Sequence, residues 1–319
     1  MKFFLKICII SLPFLSCKNE SKTVVDISEI EVRFSVERFE QAFYRASKET
    51  LDEVKSNFPL LFPKTVADSV WLAKIANTEE QELFMESQKV YKDFTEEEQQ
   101  LASLFKHIKY YNPRFRSPRV ITMLSNIDYE NRVVYADSLL LVSLDVYLGK
   151  KHPFYADYPK YIKENNSKNH LIVDVAKTII ETQTLPITTR SFSSKIIAEG
   201  KKRHLLDLYL PLVSEKEKSG YSSDKLQWAQ QHEEDVWKYF IEKELLYSTD
   251  TELNKRFIEN APFSKFYTAQ DNQSPGKIGV YIGWKIVQSF MEHNDVSLQK
   301  LIQIDAQSLL DKSRYKPKK

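Results

Sequence analysis

The sequence predicts an α+β domain, mostly helical with a small three-strand sheet near residues 118–149. Three observations lead there. Apolar residues recur at helical intervals over 30–112, the pattern changes to β-branched and aromatic runs over 118–149, and helical spacing returns over 160–315. Helices, then adjacent strands, then helices again is the order of an α+β arrangement.

In chain order, Met1 to Lys6 form a short basic start, Ile7 to Leu15 an apolar run, and Ser16-Cys17 follow. The run is shorter than the ~20 residues that span a bilayer, so residues 1–16 read as a secretory signal peptide. Phe14-Leu15-Ser16-Cys17 resembles a bacterial lipobox, with Phe14 where Leu or Val is usual, which makes Cys17 the lipidation site. Cleavage after Ser16 removes Cys8, the second of two cysteines, and leaves Cys17 without a disulfide partner. A multiply acylated cysteine gives stable membrane attachment, where one chain binds only marginally. Residues 17–25 then form a lipidated tether and 26–319 a single domain. The tether Lys18-Asn19-Glu20-Ser21-Lys22 lacks an acidic cluster, which favours a periplasm-facing anchor.

Loss of Lys2 and Lys6 with the signal reduces the 46 basic residues to 44, equal to the 44 acidic ones. No electrostatic case for nucleic acid remains. Hydrophobic residues at 42% and aromatics at 13% are ample for a core, and only six glycines are present.

Phe39, Phe43, Leu51, Val54 and Phe58 predict one amphipathic helix over 36–58, closed by Pro59 and Pro63. Val70, Leu83, Leu101 and Phe105 continue the spacing as two helices over 65–109, with Glu96-Glu97-Glu98 as a solvated face. The strands are 120–124, 132–136 and 139–149, the first two joined as a hairpin by the polar cluster 126–131. Helices follow at about 168–183, 190–210, 224–247, 252–260, 277–293 and 297–311.

A zinc hydrolase needs two imidazoles one helical turn apart, as in His-Glu-x-x-His, and this spacing is absent. His232-Glu233-Glu234-Asp235-Val236 comes nearest, but Val236 cannot coordinate, and His232 with its acids reads as solvent-side. His107, His152, His204 and His293 are scattered singly, while His170 and Asp174 share one helical face. There is no Gly-x-Ser-x-Gly elbow. Gly276, Gly279 and Gly283 lack the pattern of a phosphate loop and instead predict a stripe for close helix packing.

Several strings together resemble the GldB family of gliding-motility lipoproteins of the Bacteroidetes. They are Ser143–Gly149 with His152-Pro153-Phe154-Tyr155, Leu245–Asp250, Ala261–Phe266, and Ser274–Gly279 running into Ile282–Val287. The family is in turn similar to predicted zinc-dependent proteases of gluzincin-like architecture, whose later Glu-Gly pair supplies a third metal ligand. Glu199-Gly200 matches that pair as a remnant, while Asp174-Val175-Ala176-Lys177-Thr178 stands where the two histidines belong. The resemblance therefore implies a degenerate, non-catalytic scaffold without metal or cofactor. It implies a role in gliding, with protein partners in the envelope machinery shared with type IX secretion. A peptide or partner adding to the 139–149 strand is one expected mode. The alternative is an active zinc-dependent peptidase with an atypical site around His170, Asp174, Glu199 and His204.

Overall fold

A computed structural model describes residues 24–136, 138–186 and 189–318. The signal segment, Cys17 and the tether as far as residue 23 lie outside the described residues.

The segment 36–58 starts as a strand, β1 (Val36–Arg38), and continues as two helices, α1 (Phe39–Tyr44) and α2 (Leu51–Asn57), instead of one. The break has a local cause. Ser47 N–H donates to Thr50 Oγ1 at 2.9 Å and the Ser47 hydroxyl accepts from Glu49 N–H at 3.2 Å. Such side-chain bonds offer the backbone an alternative to the helix. The apolar face still buries as the spacing requires, with Phe39, Phe43 and Phe58 packed ring against ring. Residues 65–109 form three helices, not two: α3 (Asp68–Ala76), α4 (Thr78–Val90) and α5 (Thr95–Tyr111). Asn77 splits the first pair by capping α4, its side chain accepting from Glu80 N–H at 3.0 Å. Within the acidic run of α5, Glu97 is buried and lies 2.9 Å from Lys168 Nζ, so the run is only partly a solvated face.

Among the described residues the sheet has four strands, not three. β2 (Arg119–Met123), β3 (Val133–Ala136) and β4 (Leu139–Ser143) join β1 in the order β1-β2-β4-β3. β1 runs parallel to β2 with Val36 opposite Val120, and β2 parallel to β4 with Val120 opposite Leu140. Only β3 and β4 are antiparallel. The expected hairpin between 120–124 and 132–136 therefore does not form, because β4 lies between them. Burial explains the placement: Val120, Ile121, Leu140 and Val142 are sealed on the central strands, whereas Val134 of β3 is exposed and suits an edge. Arg119 clamps β1 to β2 through two bonds of 2.6 Å to Glu37.

The strand expected over 139–149 ends at Ser143 and turns into a 3-10 segment at 144–146. Fully buried Asp145 accepts from Ser125 N–H at 3.0 Å and Ile127 N–H at 2.7 Å. It thereby holds Asn126 and Ile127 in left-handed backbone, φ 60° and 59°. Burial pushes the Asp145 carboxyl up, against the pull of these N–H groups.

The remaining helices are α6 (Lys160–Lys163), α7 (Lys168–Gln183), α8 (Phe192–Tyr209), α9 (Glu215–Ser219), α10 (Ser223–Gln231), α11 (Glu233–Glu242), α12 (Glu252–Phe257), α13 (Ile278–His293), α14 (Leu298–Gln303) and α15 (Ala306–Ser313). The segment 224–247 divides at His232, whose ring stacks on Trp228 at 4.3 Å, and Glu233 is buried against the Tyr315 hydroxyl instead of facing solvent. The segment 297–311 divides at Asp305, which caps α15 through Ser308 N–H at 2.8 Å.

α8 and α13 pack together at the centre, flanked by α7 and α15. A β-carbon at Gly200 of α8 would fall on the carbonyl of Gly283 in α13, and one at Gly283 would fall on the carbonyl of Ile196. Glycine there lets two backbones touch, as the predicted stripe requires of Gly279 and Gly283. Gly276 precedes the helix and backs onto Ala261 instead.

Candidate functional site

A cleft of 1020 Å³ opens between α7, Arg203 of α8, the loop and start of β3, and the segments 219–225, 260–263 and 272–277. Its floor is ionic. Asp174 accepts from the Tyr147 hydroxyl at 3.0 Å and stands 3.2 Å from His170 Nε2, 3.5 Å from Lys177 Nζ and 3.6 Å from Arg132 Nη1. Burial pushes this carboxyl up, but His170, Lys177 and Arg132 together hold it well below the usual carboxylate range. His170 is buried between two acids, with Glu217 Oε2 3.5 Å from its other nitrogen, and Glu217 is held low chiefly by that contact. Helical spacing had placed His170 and Asp174 on one face, and the structure joins them.

Besides Arg132, three cations stand around this floor: Lys177, Arg203 and Lys277. Burial drives Lys177 down to about 7, with Arg203 and Lys277 repelling it further and Asp174 opposing. Lys277 falls to about 8 by burial and by Arg203. Arg132 is spent on the carbonyls of Tyr129, Asn165 and Ile162 and on the Asn166 side chain. Arg203 donates to the Lys218 carbonyl.

Lys277 is positioned by two of the strings singled out in the sequence. Ser264 N–H donates to Ser274 Oγ at 3.1 Å, and the Ser264 hydroxyl donates to the Pro275 carbonyl at 2.8 Å. Ser264 Oγ in turn accepts from Ile278 N–H at 3.2 Å, and both serines are fully buried. The segments 261–266 and 274–279 thus lock together and present Lys277, in left-handed backbone at φ 58°, at the head of α13. A third string has a supporting part: the Tyr155 hydroxyl donates to the Asp145 carbonyl at 2.6 Å and accepts from Leu148 N–H at 2.9 Å.

The other candidate ligands are not gathered. Glu199 pairs with Lys202 at 2.7 Å and does not line the cleft, and Gly200 serves the contact with α13. His204 lines a separate cavity of 370 Å³ with Tyr111, Asp207 and Trp284. Among the described residues no three His, Cys, Asp or Glu side chains are placed to share a metal ion. Strand addition along 139–149 is also ruled out by topology, since β4 is hydrogen-bonded on both sides. What spacing missed is the cation cluster, whose members come from three separate elements.

Among the described residues no helix is long and apolar enough to cross a membrane. No curated protein and no solved structure matches the chain. Residues 20–317 match the family described as gliding motility protein GldB, a family of lipoproteins. That match takes in nearly the whole chain, including every string that locks the cleft, and the chain belongs to the GldB family of gliding-motility lipoproteins.

Proposed function

We propose that this chain is a non-catalytic component of the gliding apparatus, anchored through acylated Cys17, facing the periplasm and working with protein partners of the envelope machinery that gliding shares with type IX secretion. The observation that carries the reading is the family match over residues 20–317. The non-catalytic part draws on how the residues are used. Asp174 is saturated by Tyr147, His170, Lys177 and Arg132, and Gly200 is committed to helix packing. A carboxylate held by that many fixed donors is a poor general base.

The test is complementation of a deletion strain. The wild-type gene restores spreading, whereas Cys17→Ala abolishes both fatty-acid labelling and membrane retention. Unchanged labelling of Cys17→Ala refutes the anchor. Stoichiometric zinc in the purified chain refutes the non-catalytic reading and favours the zinc-dependent peptidase. Crosslinking in cells that captures no component of the secretion machinery refutes the link to type IX secretion.

A further inference from the structure

The cleft holds more positive charge than the fold neutralises. Arg132 and His170 already attend Asp174, and Glu181 and Glu199 are both drawn to Lys202, at 2.8 and 2.7 Å. Lys177 Nζ stands 3.4 Å from His170 Nε2 and 3.5 Å from Asp174, and among the described residues that carboxylate, shared with Arg132 and His170, is its one ion-pair partner. Among the described residues neither Lys277 nor Arg203 forms an ion pair, although each is close enough to Lys177 to repel it. Like charges gathered in a partly dehydrated cleft are costly unless something of opposite sign joins them.

We infer that Lys177, Arg203 and Lys277 form a binding site for a phosphate-type dianion. Three further observations point the same way. Lys277 keeps a left-handed conformation that is unfavourable for a non-glycine residue, enforced by the buried Ser264 and Ser274 lock. Strain of this kind, kept in place by its surroundings, clusters at ligand clamps. Lys277 immediately precedes the 16-residue helix α13, whose N-terminal dipole adds to the attraction for an anion. Burial first, and then the repulsion of Arg203, lowers both Lys177 and Lys277 despite the pull of Asp174, and an anion seated among them would relieve both effects. A dianion offsets this excess where a single carboxylate would leave most of it. The 1020 Å³ of the cleft accommodates a phosphoryl group together with the molecule that carries it, either a soluble phosphorylated compound or a lipid headgroup.

The inference does not depend on the motility reading, and its test needs no cells. The purified full-length chain is titrated calorimetrically with inorganic phosphate, glycerol phosphate and a short-chain monomeric phosphatidate, against sodium chloride of equal ionic strength. Saturable 1:1 binding of phosphate is expected, weakened at least tenfold by Lys277→Gly and by Lys177→Gln. Glycine suits the backbone at 277, so Lys277→Gly keeps or raises the melting temperature, and lost affinity cannot then be laid to misfolding. Tighter binding of phosphatidate than of glycerol phosphate assigns the headgroup as source, and equal binding assigns a soluble compound. Absence of saturable binding overturns the inference, as does affinity unchanged in the Lys177→Gln/Lys277→Gly double variant. So does an oligoglutamate peptide that saturates the chain where phosphate does not.

Discussion

Replacing Gly200 by alanine sets two physical effects of opposite sign against each other. In an unconstrained helix interior, glycine to alanine stabilises by about 1 kcal/mol. At this position the added β-carbon would fall on the Gly283 carbonyl, which is backbone inside α13 and cannot rotate away. To restore van der Waals separation the helices must part by about 1 Å, and a gap of that size forfeits a quarter to a half of each contact's attraction. The loss falls on Ile196, Ile197, Ile282 and Ile286, all fully buried around that crossing. Overpacking of a dense core costs about 1–3 kcal/mol, and a collision with backbone belongs at the top of that range. Net of the propensity gain, Gly200→Ala should lose about 2 kcal/mol, seen in urea denaturation as a lower midpoint at unchanged slope. Stability equal to or above wild type would refute the close-contact account. It would also return Glu199-Gly200 to consideration as a ligand pair.

Asp145→Ala leaves Ser125 and Ile127 N–H groups unpaired and releases two left-handed residues; a loss of about 2–3 kcal/mol is expected in the same assay. Asp174→Ala strips the counter-charge from Arg132, His170 and Lys177 and should cost about 3 kcal/mol, with a loss below 1 kcal/mol arguing that the floor is not a working ion network. Because the Asp174 carboxyl is depressed in the fold, its stabilisation is present above about pH 4 and drains away as pH falls further; Asp174→Ala should flatten the acid limb of a stability–pH curve. Lys177 and Lys277 add a slope of the same sign in a more alkaline window. Their folded values, about 7 and about 8, lie below those of unfolded lysine, so the unfolded chain binds more protons between pH 7 and about 10. Stability contributed by these two groups therefore rises with pH through that window, and saturating phosphate should reduce the rise.

Local sequence carried the long helices well. α7 coincides with the expected 168–183, and α13 with 277–293 to within one residue, because each is a continuous apolar-periodic run without an internal cap. At three of the four breaks in the expected helices short polar side chains decided it: Ser47, Asn77 and Asp305 each bond a nearby N–H and end a run that periodicity alone would extend, while the fourth falls at His232. Strand order was not legible, because a parallel neighbour such as β1 lies some 80 residues from its partner in sequence and leaves no local signal. The glycine stripe was visible in α13, but its counterpart Gly200 was read as part of a ligand motif, since one sequence does not say what faces a glycine. The pair His170 and Asp174 followed from helical spacing. Arg203 and Lys277 reach the same cleft from α8 and from the loop before α13, and only the fold brings them together.

The first described segment leads from the tether into β1. Lys109 donates to the Glu31 carbonyl at 2.7 Å, the Phe34 ring meets Phe105 edge-on at 5.0 Å, and Arg119 grips Glu37. With Cys17 as the proposed anchor, any pull between the membrane and the domain enters the fold along this path. The load passes to α5 and then runs lengthwise through the β1–β2 pairing, so those bonds are sheared together instead of opened one after another. The cleft lies on the opposite edge of the sheet, beside β3, with β2 and β4 between it and the pulled strand. Tension could thus be borne at one side of the domain while the charged site at the other keeps its shape.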